Sequence, residues 1–229
     1  MSIAVASSGA FGQNARMASG IVLFVGNKNL SSWSLRPHLA LAHTGAAFEE
    51  VVVPLDRPDT KERILAVSPS GRVPCLRDGD LVVWDSLAIC EHVAERFPEA
   101  RLWPSDAGAR ALARSVSAEM HSGFADLRRE LPMNLTARIA RAPSPAAAAD
   151  IARVLAIWTD LRAKSASAGP FLFGDFTIAD AMFAPVVTRF VTYGVEVPPE
   201  ARAYMDAVLA LPAMQRWIAD AIEETRSAS

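Results

Sequence analysis

The sequence predicts an α/β domain followed by an all-α domain, and three observations carry that expectation. Between Ile21 and Phe97, four short apolar runs alternate with helical stretches in the order βαβαββα. Proline-bearing breaks follow at Phe97-Pro98 and at Trp103-Pro104-Ser105. Beyond them no run has strand character, and apolar residues recur at spacings of three and four. The expected boundaries are a flexible N-terminal extension over 1–19, an α/β domain over 20–98, a linker over 99–105 and a helical domain over 106–229.

Each element has its own signal. Ile21-Val22-Leu23-Phe24-Val25 is apolar throughout and mostly β-branched, the pattern of a buried strand, and it ends at Gly26. A polar loop leads into a helix expected to begin near Ser34, because Pro37 lacks an N–H and is tolerated in a first turn but not in an interior. Ser31, Ser32 and Trp33 then lie at or just before a helix N-terminus, where backbone N–H groups are unpaired. Phe48 to Pro54 reads as a second strand and Asp59 to Val67 as a short helix that stops before Pro69-Ser70-Gly71. Val73 to Arg77 and Leu81 to Val83 form a hairpin across Asp78-Gly79-Asp80. Asp85-Ser86 opens a helix with Leu87, Cys90, Val93 and Phe97 on one face.

In the second half, Leu112, Val116, Met120, Phe124, Leu127 and Leu131 mark one long amphipathic helix. Ser144-Pro145 supplies an N-cap and first-turn proline for another, with Ile151, Leu155, Trp158 and Leu161 as its apolar side. Thr177 and Asp180 bracket a further start, Pro185 is expected to kink that helix, and two more helices follow over Pro199 to Leu209 and Pro212 to Ile222.

Composition narrows the function. Half of the 229 residues are apolar, which excludes a disordered chain, and 23 basic against 25 acidic residues leave no electrostatic footprint for nucleic acid or an anionic membrane. Cys75 and Cys90 are too few for a disulfide framework and have no zinc-ligand spacing, so a reducing cytoplasm is expected. His38, His43, His92 and His121 show no metal-binding pattern, and no metal is expected. No apolar run reaches the roughly 18 to 20 residues of a membrane helix.

Four local motifs stand in order: Asn29-Leu30-Ser31-Ser32-Trp33-Ser34-Leu35-Arg36, Ser68-Pro69-Ser70-Gly71-Arg72-Val73-Pro74, Asp85-Ser86, and Phe176-Thr177-Ile178-Ala179-Asp180. Together, over Ile21 to Ile222, they resemble the cytosolic glutathione S-transferase family, and the first looks most like the serine-rich S-S-C-S motif of zeta-class members, with Trp33 in place of the cysteine. The resemblance implies a thioredoxin-like N-terminal domain, an all-helical C-terminal domain, glutathione as co-substrate, a homodimer and a role in detoxification. It makes Ser31 the first choice as stabiliser of the glutathione thiolate and Ser32 the close alternative. It implies a cis Val73-Pro74 peptide whose Val73 backbone pairs with the cysteinyl unit, a β-augmentation in miniature. Asp85 and Ser86 would then hold the charged γ-glutamyl end, and Met120, His121 and Phe124 would lie on the helix lining the second-substrate pocket. Thr177 and Asp180 match a capping motif that serves folding.

The chemistry is consistent with such a site. A thiol with a pKa of about 8.5 must ionise to attack an electrophile, and lowering it by two units needs about 2.7 kcal/mol, within reach of one charge-assisted hydrogen bond plus a helix N-terminus. Arg72 is expected to help bind glutathione, and Arg36 and Arg72 could reach its carboxylates, although residue types alone leave both open to ordinary solvated positions, these serines open to a plain capping role and Trp33 open to pocket wall or core. The activity expected is conjugation of glutathione to a small electrophile. Two alternatives stand beside it: a glutathione-dependent cis–trans isomerase of the maleylacetoacetate isomerase type, and a noncatalytic binding protein on the same fold.

Overall fold

The structure, a computed structural model, describes residues 20–227; the extension expected over 1–19 lies outside them. The N-terminal domain runs β1 (Ile21–Val25), α1 (Ser32–His43), β2 (Glu49–Val52), α2 (Thr60–Leu65), β3 (Cys75–Asp78), β4 (Leu81–Trp84) and α3 (Ser86–Arg96). Its sheet order is β2-β1-β3-β4, with β2 parallel to β1 and the other pairings antiparallel. This is the thioredoxin-like arrangement. β1 is therefore an inner strand covered on both faces, which is why its five residues are all apolar and all buried. Alternation divides them: Ile21, Leu23 and Val25 face α1, α3 and the helical domain, whereas Val22 and Phe24 join Cys75, Val51 and Val67 on the other side.

The second domain consists of α4 (Ala107–Ser122), α5 (Ala125–Glu130), α6 (Pro145–Ser165), α7 (Ile178–Tyr193), α8 (Pro199–Leu209) and α9 (Pro212–Ser227). One apolar core runs from β1 through α1 into α7, with Trp158 and Trp217 fully enclosed. Pro185 lies inside α7, a single helix of 16 residues.

Three expectations need correction. The long helix through Leu131 is two helices, because Gly123 and Phe124 break it, the latter with φ at 59° in the left-handed region. A side chain at Gly123 would meet the Glu119 carbonyl oxygen at 2.8 Å, so the chain turns where only glycine fits. Second, α1 begins at Ser32, which places Pro37 in its interior. Third, Arg36 is wholly buried, against the expectation of a solvated arginine.

α9 fastens the loop that enters α1. Lys28 pairs with Glu50 of β2 and, at 2.5 Å, with Asp220 of α9. The Lys28 carbonyl accepts from the Trp217 indole at 2.9 Å, and Glu224 accepts from the Asn27 amide at 2.9 Å and the Asn29 N–H at 3.2 Å. Burial tends to lower the Lys28 pKa, yet the bonds to Asp220 and Glu50 hold it above the ordinary lysine value. Lys28→Met leaves Glu50 without its ammonium partner, and we expect it to cost about 2 kcal/mol in a urea unfolding experiment. A loss below about 0.5 kcal/mol would show that α9 does not hold the loop through this contact.

Candidate functional site

A cleft of about 560 Å³ opens at the junction of the two domains, lined by Trp33, Ser70, Arg72, Val73, Pro74, Trp84, Asp85, Ser86 and His121. Three elements converge on it. The first is the entry to β3, where the Val73–Pro74 peptide is cis and the Val73 N–H and C=O have no partner among the described residues. An unpaired strand edge of that kind can take up a short extended peptide. Beside it Arg72 is exposed and pairs with no carboxylate among the described residues.

The second is the start of α3. Asp85 caps the helix through Oδ1, which accepts from Leu87 N–H at 2.9 Å and Ala88 N–H at 3.3 Å. Its backbone has φ at 75°, a strained value for a residue with a side chain, and strain of this sort clusters at binding sites. The Ser86 hydroxyl is buried without a hydrogen-bond partner among the described residues, at the first position of a helix whose dipole favours an anion. A carboxylate would fit there. Asp85 Oδ2 also lies 3.3 Å from His121 Nε2 on α4. Burial lowers the His121 pKa, Asp85 pulls the other way, and Arg36 and Arg128 reinforce the lowering, so the ring is held toward neutrality.

The third is the N-terminus of α1. Trp33 is 38% exposed and lines the cleft. The guanidinium carbons of Arg36 and Arg128 lie 4.4 and 4.8 Å from its ring centre, and His121 meets it edge-on at 5.3 Å. The two serines before it differ in their bonds. Ser31 Oγ donates to Ser34 Oγ at 2.7 Å, and Ser34 Oγ in turn accepts from Gly26 N–H at 3.0 Å. Ser32 Oγ accepts from Arg189 Nη2 of α7 at 3.2 Å and donates to no acceptor among the described residues.

Thus the cleft brings together Trp33, Arg72, Val73, Pro74, Asp85, Ser86 and His121. Ser31 and Ser32 are buried directly behind Trp33 in the chain, and Met120 and Phe124 belong to the apolar core. Sequence reasoning missed Ser70 and Trp84 as lining residues, although Ser70 stands within a quoted motif and Trp84 immediately precedes Asp85. It also missed Arg128 and Arg189, which no local pattern distinguishes from surface arginines.

The sheet order, the cis-proline edge and the attached helical domain define a thioredoxin-like two-domain protein with its cleft at the domain junction. Residues 30–96 match the family described as glutathione S-transferase, N-terminal domain, and residues 109–220 match glutathione S-transferase, C-terminal domain. Glutathione S-transferase 3 of Zea mays is 32% identical over 201 residues, 83% of this chain and 90% of the relative. The chain belongs to the glutathione S-transferase family. It is also similar to maleylacetoacetate isomerase of Pseudomonas aeruginosa, 39% identical over 93 residues, 38% of this chain and 43% of that relative. Glutathione S-transferase 1 of Dianthus caryophyllus is 41% identical over 85 residues, 37% of this chain and 38% of the relative, so the chain spans less than half the length of these two. Among solved structures, a Burkholderia glutathione transferase homologue with bound glutathione superposes with a TM-score of 0.68 at 28% identity, covering 89% of this chain and 98% of that one.

Proposed function

We propose that this chain is a glutathione transferase that binds glutathione in the junction cleft, holds it as the thiolate through a serine at the start of α1, and transfers it to a small electrophile. The observation that carries the reading is the convergence of an unpaired strand edge at Val73, a free Arg72 and the Ser86 helix start on one cleft beside the α1 N-terminus. A tripeptide thiol has complementary groups: an extended backbone for Val73, a carboxylate for Ser86 and the α3 amides, a second carboxylate for Arg72, and an ammonium for Asp85.

The hydrogen-bond directions favour Ser32 over Ser31 as the stabilising hydroxyl. The Ser31 proton is committed to Ser34, whereas Ser32 accepts from Arg189 and keeps its own proton to give. No general base is needed, since the thiol proton leaves to water. His121, with Trp33, then bounds the side of the cleft from which an electrophile approaches. The reading also takes the chain as a homodimer; a monomeric mass by light scattering would contradict it.

Retention on immobilised glutathione, followed by conjugation assays with aryl halides and α,β-unsaturated carbonyls, tests the whole. Arg72→Ala is expected to raise the KM for glutathione about tenfold with kcat little changed, as loss of a ground-state carboxylate contact does. Unchanged KM would remove Arg72 from the site. Retention without turnover would support a noncatalytic protein instead, and isomerised product in place of conjugate would support the isomerase reading.

A further inference from the structure

Behind the Trp33 wall lies a group of arginines whose charges no carboxylate of the cleft neutralises. Arg36 of α1 is fully enclosed, and none of its three guanidinium nitrogens has a hydrogen-bond partner among the described residues. Arg189 of α7 is buried and spends one nitrogen on Ser32 Oγ while Nε and Nη1 are unpartnered. Arg128 of α5 donates to the carbonyls of Met120, His121 and Gly123 and leaves Nη1 bare. The carboxylates nearby are engaged elsewhere. Asp85 caps α3 and meets His121, and Asp150 of α6 caps α5 by accepting from Asp126 and Leu127 N–H. The remaining titratable groups facing the arginines are the Cys90 thiol of α3, the neutral-leaning His121 and Tyr193. Burial first, and then the charge of Arg128, lowers the Arg189 pKa to about 9, and burial with both neighbours lowers Arg36.

Buried cations without counterions are costly, and an anion brought beside them offsets that cost. The ligand of the proposed function brings one. A hydroxyl that accepts from a guanidinium is also a stronger donor through its own proton.

We propose that Arg189 is a positioning residue for the glutathione thiolate: its bond to Ser32 Oγ turns and polarises the Ser32 proton toward the cysteinyl sulfur, whose negative charge is the counterion that Arg36, Arg128 and Arg189 lack. The inference rests on the glutathione reading above. In the step the S–H bond breaks, its proton leaves to water, Ser32 keeps its own proton, and no bond forms to the protein.

The test is an ultraviolet titration of the thiolate band of bound glutathione in the wild type, Arg189→Gln, Arg189→Lys, Ser32→Ala and the Ser32→Ala/Arg189→Gln pair. Arg189→Gln is expected to raise the bound thiol pKa by about one unit, a tenfold loss of thiolate at low pH. Arg189→Lys falls between it and the wild type. In the pair, Arg189→Gln adds less than about twofold to the effect of Ser32→Ala, as expected when one residue acts through the other. Affinity for S-methylglutathione, which has no thiol to ionise, stays at the wild-type value, a readout that a merely structural defect would move. A wild-type titration in Arg189→Gln, or full additivity in the pair, overturns the proposal and leaves the glutathione reading standing. Absence of a lowered thiol pKa in the wild type defeats that reading itself. Should Arg189→Gln not fold, Arg189→Lys carries the test, and its unchanged titration overturns the proposal equally.

Discussion

Ser32→Ala is expected to lower kcat by about a hundredfold while the Kd for glutathione stays within about twofold. The expectation follows from where the hydroxyl acts. The peptide part of glutathione would be held by Val73, Arg72 and the start of α3, none of which shares a hydrogen bond with the Ser32 hydroxyl, so ground-state binding survives. What would be lost is the hydroxyl donor proposed to stabilise charge on sulfur. Loss of a single preorganised donor to a developing or resident anion costs about 10²- to 10³-fold in other enzymes. Ser31→Ala is the control. Its hydroxyl belongs to the chain Ser31 to Ser34 to Gly26 that joins the α1 N-terminus to the end of β1, so the variant should lose stability and keep turnover within about threefold. Stopped-flow measurement of the conjugation step in both variants decides. If Ser31→Ala carries the hundredfold loss and Ser32→Ala does not, the order that the family resemblance favours is right, and the hydrogen-bond directions have pointed to the wrong serine.

The two serines also show how far the sequence could be read. β1, α8 and the starts of α6 and α7 were legible because each is announced by local chemistry: an unbroken apolar run, or a capping residue followed by a proline or an acid at the third position. Six of the residues singled out from the ordered motifs, Trp33, Arg72, Val73, Pro74, Asp85 and Ser86, line the cleft. Periodicity failed at Gly123 because Leu127 and Leu131 stay nearly in phase after the break, and both remain fully buried. Pro37 misplaced the start of α1 because tertiary packing tolerates a proline that an isolated helix would not. The arginines behind Trp33 were illegible for a different reason. Their burial is decided by helices α1, α5 and α7 meeting in space, and one-dimensional spacing carries no sign of that meeting. The same holds for the choice between Ser31 and Ser32, which turns on the direction of two hydrogen bonds.

The largest stability effect is expected at Asp180. Its carboxylate is fully buried and accepts from Thr177 N–H at 2.8 Å, Thr177 Oγ1 at 3.0 Å and Leu172 N–H at 3.0 Å. It thereby closes the first turn of α7, the helix that carries Arg189 and is buried along almost its whole length, and ties it to the preceding loop. Asp180→Ala leaves three buried donors without an acceptor, and at 1 to 3 kcal/mol for each, offset by relaxation, the loss should be about 3 to 5 kcal/mol. For a chain of this size that lowers Tm by roughly 10 °C. Asp180→Asn keeps one acceptor oxygen and should lose about half as much. The acid limb supplies a second check. Burial outweighs these donors and raises the Asp180 pKa to about 6, against about 3.9 for an unfolded aspartate. Between those values the folded state binds the extra proton, so this group's contribution to stability is full below about pH 4 and declines as pH rises to about 6, by an amount on the order of 3 kcal/mol. Asp180→Asn cannot titrate. The stability difference between wild type and Asp180→Asn, followed by urea unfolding from pH 4 to 7, should therefore narrow with rising pH; a gap that widens instead would mean that the three donors hold the carboxylate ionised and that burial is the weaker influence.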